Sequence, residues 1–461
     1  MDANDTTPSE NVAVAQPTAQ DPDRKPTRAQ APFDDEDGDA DLILRSSDKV
    51  DFYVHKLILK KASALFQGMF QDASSEQSVH ADASHQTSSL PVVDNIDESS
   101  STLDSILRIC YPVDEVKQTS LDKVAEVLRV ALKLQMQKAT TNMKKELLTY
   151  VPTDPLSVYA KACILNLEYE ASQAAEEWRK QYNRQKQNHC NPCRSVFQMG
   201  PCGGCCSCFS FPKSVGGLTY REVMQQNTAG QFHRLIQFAE SGTRTEFCFS
   251  PSRSTSSSDG GTPDSYAFTN FPNPDITIQS VDGVNFPTHT SVLIYASASE
   301  ILKKKENSSI IQLDEDGRTL ATLLQLCYPY ADFEVTSGTC SISLIARVRE
   351  AAEKYRMPAV VRAAEYLMSE QVYDHPLDVF FAASRHGWLQ DAERAAALCS
   401  ALTRDKIEGP GSYTKEMENV SAEVYYTLLK RWYDTNAAPG TPPVTVTNPS
   451  VGWNKKKKGR R

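Results

Sequence analysis

The 461 residues contain no uninterrupted apolar stretch long enough to cross a bilayer, and the first twenty lack the basic start and apolar middle of a secretory signal. The cytosol or the nucleus is therefore the expected compartment, with no membrane partner. There the twelve cysteines stay reduced unless they hold a metal. Also missing are the short motifs that carry catalysis. There is no G-x-x-x-x-G-K-[ST] phosphate loop, no G-x-G-x-x-G turn, no H-E-x-x-H helix and no G-x-S-x-G elbow. Dispersed acids such as Asp94, Asp97 and Glu98 have no spacing that implies a shared site and read as helix-surface charge. A non-enzyme is the expectation. Positive charge is short as well: 49 Lys and Arg against 58 Asp and Glu leave a formal net charge of -9. That is the wrong sign for a face that must release counterions from a phosphate backbone, so nucleic acid is not an expected partner.

Large apolar side chains are scarce in several segments, which sets the predicted boundaries. Residues 1–37 are rich in Thr, Gln, Pro, Asp and Ala, too polar to offset ordering entropy, and are expected to be disordered. A polar insertion at 72–89 interrupts the first domain, and a Ser-, Thr-, Pro- and Gly-rich linker is expected over 241–272. The last segment, 436–461, is a Pro-rich stretch that ends in Lys455 to Arg461. This basic tail reads as a nuclear import signal, a nucleic-acid tether or a solvated terminus.

Between these segments the chain repeats itself. Asp41, Ser46, Asp48, Val50, Phe52 and His55 return in identical register as Asp275, Ser280, Asp282, Val284, Phe286 and His289. Ile109-Cys-Tyr-Pro112 returns as Leu326-Cys-Tyr-Pro329, and Asp154-Pro-Leu-Ser-Val-Tyr159 as His375-Pro-Leu-Asp-Val-Phe380. A repeat of this length is a duplicated domain with its extension, not a solenoid. Each copy opens with apolar and polar residues alternating around a turn, which predicts a hairpin. Apolar spacing from Leu57 to Phe70 then predicts one helix, and Leu90 to Ile96 and Ile310 to Leu313 a short strand each. Further helices are predicted over Thr102–Cys110, Leu121–Met136, Ala139–Tyr150, Asp154–Asn166 and Glu168–Tyr182.

The string Asp41, Phe52, His55-Lys56, Leu59, Ser63, Phe66, Met69-Phe70, followed by Ile109-Cys-Tyr-Pro112, resembles the BTB/POZ domain. The resemblance covers 41–150 and, less closely, 275–371. It implies an α+β fold of two tandem BTB-like domains, each a small sheet capped by a helical cluster and followed by extra helices. The expected order is domain 1 at 38–150, a helical extension at 151–188, a Cys-rich loop at 189–213 and an amphipathic helix at 214–240. The linker follows, then domain 2 at 273–371 and a second extension at 372–435. The resemblance also implies protein partners, commonly a homodimer, and work either as a cullin-type ubiquitin-ligase adaptor or in transcriptional regulation. Here the two copies could instead pack on each other within one chain. The first reading is a non-catalytic, self-associating scaffold. A nuclear regulator with weak nucleic-acid contacts and a cullin adaptor are the alternatives.

In many BTB domains an acid at the position of Asp41 and a base after the His lie in a charged pocket near the dimer groove. The interaction residues implied here are Asp41, Lys56, Phe66, Met69 and Phe70. In the second copy Thr290 replaces the base, which would leave Asp275 a lone carboxylate that is costly to bury. Asp41 and Lys56 also fit an ordinary surface pair. His55 and His289 read as helix-start residues hydrogen-bonded to backbone rather than as ligands.

One cluster has metal-ligand spacing. Cys190-x-x-Cys193 and Cys202-x-x-Cys205 form two C-x-x-C pairs, with His189, Cys206 and Cys208 as alternates. Each pair can span one edge of a tetrahedron, so structural zinc is one reading; a redox-sensitive loop and a bland Cys-rich insertion are the others. Cys110, Cys163, Cys327 and Cys399 fall at apolar helix positions and read as core. Thr219-Tyr-Arg-Glu222 has the form of a capping box for a helix carrying Phe232, Leu235 and Ile236. Val424, Tyr425, Leu428, Leu429 and Trp432 make a second stripe that should pack on its own domain.

Overall fold

The computed structural model describes residues 25–34, 38–76, 90–94, 96–114, 117–189, 223–243, 245–248, 273–304, 310–328 and 340–436. They divide into two units between Tyr150 and Val151.

The sheet of the first unit holds β1 (Thr27–Arg28), β2 (Leu42–Arg45), β3 (Val50–Val54) and β4 (Val92–Val93) in the order β1-β3-β2-β4. β2 and β3 are the predicted antiparallel hairpin, with Leu42 opposite Val54 and Leu44 opposite Phe52. All four side chains are buried, as period-two alternation requires. The Val50 N–H donates to Ser46 Oγ at 2.9 Å to close the turn, where Lys49 takes the left-handed φ of 63°. β1 shows that the polar N-terminal stretch ends before residue 37. Thr27 and Ala29 donate backbone N–H groups to Lys49 and Asp51, Tyr53 donates to the Phe33 carbonyl, and the Phe33 ring is buried. A strand edge offers backbone partners to any sequence, so composition gives little sign of it.

The helices of this unit are α1 (Lys56–Ala62), α2 (Ala64–Glu76), α3 (Ser100–Cys110), α4 (Leu121–Lys133) and α5 (Gln137–Thr149). The single helix expected from Leu57 to Phe70 is broken at Ser63, whose backbone is extended. Ser63 Oγ donates to the Leu134 carbonyl at 2.5 Å and accepts the Phe66 N–H at 3.1 Å, so one hydroxyl caps α2 and ties it to the end of α4. α2 also runs to Glu76, into the stretch read as insertion.

The second unit opens with α6 (Pro155–Ile164), capped by Asp154 Oδ1 on the Ser157 N–H, and α7 (Glu168–His189). α8 (Ala229–Ser241) follows. Its capping box is Thr228 with Gln231; the box expected at Thr219–Glu222 lies outside the described residues. The chain stays docked past 241: Phe247 and Cys248 are buried, and each gives its N–H to the Glu168 carboxylate at 2.8 Å. Next come β5 (Ile276–Gln279), β6 (Asn285–Thr288), α9 (Thr290–Tyr295), α10 (Ser299–Lys303), β7 (Ile310–Gln312), α11 (Gly317–Cys327), α12 (Ile342–Lys354) and α13 (Pro358–Gln371). The sheet order β6-β5-β7 repeats β3-β2-β4, with β7 parallel to β5 as β4 is to β2. The unit closes with α14 (Pro376–His386), α15 (Leu389–Cys399), α16 (Arg404–Glu408) and α17 (Ala422–Asn436).

Candidate interaction site

The repeated residues meet where the hairpin passes into α1. Asp41 Oδ1, just before β2, accepts the Lys56 N–H at 2.6 Å and so caps α1. The Tyr111 hydroxyl accepts the His55 N–H at 2.7 Å and lies 3.3 Å from His55 Nδ1, while Nε2 lies 2.8 Å from Asp39 Oδ1. Burial pushes the Tyr111 phenol up to about 12, so the hydroxyl keeps its proton at neutral pH. The second copy repeats the plan. Asp275 Oδ1 accepts the Thr290 N–H at 2.7 Å, and the Tyr328 hydroxyl lies 3.1 Å from His289 Nδ1.

These contacts correct two expectations. The histidine rings meet a tyrosine hydroxyl rather than backbone, and the tyrosine comes from the repeated Cys-Tyr-Pro motif. The carboxylate holds the backbone N–H of the residue after His, whichever side chain that residue carries. Replacing Lys56 by Thr290 therefore strands no charge in the second copy.

Of the hydrophobic residues expected to bind a partner, Phe66 is 1% exposed and belongs to the core. Its ring stacks on Phe70 at 5.8 Å, and Met69 and Phe70 are half-buried. The apolar side chain that α1 turns to solvent is Leu57, 67% exposed. The signal for it was present, since Leu57-Ile-Leu59 cannot all face one side of a helix. Beside it runs a groove of about 710 Å³ lined by Leu57, Lys60, Lys61, Gln67, Cys110 and Lys138 among others. Glu98, read as helix-surface charge, is instead buried between Arg129 at 2.6 Å and Lys133 at 3.0 Å. Burial pushes its carboxyl up, but the two cations outweigh that and hold it below the ordinary range.

The hairpin, the break at Ser63 and the capped helical cluster therefore form one self-contained body ending at Tyr150. Residues 32–150 match the BTB/POZ domain family. No curated protein matches the chain. The first unit thus carries a BTB/POZ domain, a protein–protein interaction module, on a mixed α+β framework. The matched span covers both the Asp41–Tyr111 fastening and the Leu57 groove of this BTB/POZ domain.

Cys190, Cys193, Cys202, Cys205, Cys206 and Cys208 lie outside the described residues, as does the side chain of His189. Among the described residues no group of three or more His, Cys, Asp or Glu side chains gathers to hold a metal ion. Cys163, Cys327 and Cys399 are buried, while Cys110 is half-buried at the groove. No helix among the described residues is long and apolar enough to cross a membrane.

Proposed function

We propose that the protein is a non-catalytic interaction scaffold built from two BTB-like copies, and that it self-associates through the first. The observation that carries this reading is the BTB/POZ match over 32–150, within which an exposed Leu57 stands beside a groove. The occupant we assign to the groove is a second copy of this chain. Its rim carries Lys60, Lys61 and Lys138, and the same unit exposes Asp34, Asp39 and Asp41. Lysines and acids on one unit supply the opposite charges that two copies can pair across a two-fold axis, as an isologous interface requires. Support for the second copy as a BTB-like domain comes from its strand order and from its Asp275 and Tyr328 fastenings, which repeat those of the first.

Light scattering on the full chain at micromolar concentration tests the reading. Twice the chain mass is expected, and Leu57→Asp should return the single mass while leaving the far-ultraviolet spectrum unchanged. A single mass for the unmodified chain at every concentration contradicts it, as does a dimer that Leu57→Asp leaves intact.

A further inference from the structure

The helices that follow each copy also meet, and they meet on a local two-fold axis. Residues 227–236 and 420–429 correspond at a constant offset: Thr228 matches Ser421, Ala229 matches Ala422, and Phe232 matches Tyr425. At the starts of α8 and α17 the Ala229 N–H donates to the Val420 carbonyl at 2.8 Å, and the Ala422 N–H donates to the Asn227 carbonyl at 2.8 Å. The two bonds are symmetry mates, since the acceptors Val420 and Asn227 also correspond. Thr228 and Ser421 form an antiparallel bridge on the axis, and the Phe232 and Tyr425 rings meet at 5.8 Å. Equivalent residues touching equivalent residues is the signature of an isologous interface, here inside one chain.

The charges at this junction are not symmetric. Arg234, with its side chain 4% exposed, pairs with Glu418, at 22%. Tyr413 donates to the Glu418 carboxylate at 2.9 Å and Thr228 at 3.0 Å. Burial pushes that carboxyl up, but Arg234 and the two hydroxyls outweigh it and hold the carboxyl below its usual range. Gly230 makes room: a Cβ there would stand 2.0 Å from Glu418 Oε1. The two-fold mates of Arg234, Glu418 and Gly230 are Thr427, Gln225 and Glu423. If α8 met a second α8 about this axis, each Arg234 would face Gln225 and be buried without a counter-charge. If α17 met a second α17, Glu418 would lie against Glu423. Both homotypic pairings carry a charge penalty that the observed pairing lacks.

We propose that the α8–α17 junction is a heterotypic docking surface. Through it the helical module after the first copy selects the module after the second copy, and the Arg234–Glu418 pair bars either module from its own kind in another chain. The assignment goes beyond the scaffold reading and does not depend on it. Its test is the full chain carrying a protease site within residues 255–265, cleaved under native conditions and weighed by native mass spectrometry during dilution. The two pieces should remain at one-to-one stoichiometry whether or not the first copies self-associate. Arg234→Glu and Glu418→Arg, made singly, should each weaken the pairing roughly 100-fold or more, the usual scale for stranding a buried charge. The double reversal should recover at least about tenfold of the loss, and it should fold even where a single variant does not. Unmodified pieces that separate on cleavage, a C-terminal piece that pairs with itself, or a double reversal no tighter than the single variants would overturn the proposal.

Discussion

Tyr111 and Tyr328 show what single residues do in this chain. Each comes from the Cys-Tyr-Pro motif and reaches back to the His that starts the first helix of its copy. Removing the Tyr111 hydroxyl leaves the His55 N–H without its acceptor, so Tyr111→Phe should cost roughly 1–2 kcal/mol. Thermal melting of the full chain would show this as a lowered first-unit transition, with the second unchanged. His233 is a different case. It is buried against Ser412 Oγ at 2.9 Å and packs on the Tyr425 ring, and burial lowers its pKa to about 4. The unfolded chain takes up this proton near pH 6.5 and the folded chain only near 4, so stability falls as pH drops through that window, by up to roughly 3 kcal/mol. Melting at pH 7 and pH 5 checks it: His233→Gln should melt lower at pH 7 but lose less on acidification than the unmodified chain. The repeated Asp, Tyr and His were legible in the sequence because their spacing repeats. The proximity of Asp41 and Lys56 was legible too, whereas the His–Tyr contacts were not, since they join residues 56 and 39 places apart in the chain.

Among elements, hydrophobic periodicity located most helices of the first unit and of the first extension to within a few residues. It failed where backbone or charge decides. The break between α1 and α2 depends on one Ser63 hydroxyl finding the Leu134 carbonyl, which apolar spacing cannot reveal. β1 pairs with the edge of β3, whereas Pro287 takes the place of Tyr53 in the second copy and has no N–H to offer there. Arg349 on α12 was also missed, because a lone arginine within an apolar stripe looks like surface. It is buried, stacks over Trp388 at 3.9 Å, and reaches Glu353, Glu365 and Asp391 at 3.0, 3.0 and 2.6 Å, joining α12, α13 and α15. Two of its carboxylates are well exposed and can rehydrate, so Arg349→Met should cost roughly 2 kcal/mol rather than the full penalty of a stranded buried cluster. A double-mutant cycle with Asp391→Asn, read by denaturant unfolding, should show coupling of at least about 0.5 kcal/mol.

At the scale of the whole molecule, the BTB/POZ match stops at residue 150, while the strand order β3-β2-β4 of the first unit recurs as β6-β5-β7 in the second. The paired strands and capped helices recur in both copies, whereas surface residues have diverged: α1 exposes Leu57 beside lysines, and α9 exposes Ile294 and Tyr295. We propose that a second copy of the chain covers the Leu57 groove. Hydrogen exchange of the full chain across a hundredfold range of concentration tests it most directly. Amides in α1 and α2, from Leu57 to Gln67, should gain protection as concentration rises, with the rest of the first unit changing little. Exchange over these residues that stays the same at every concentration would contradict it.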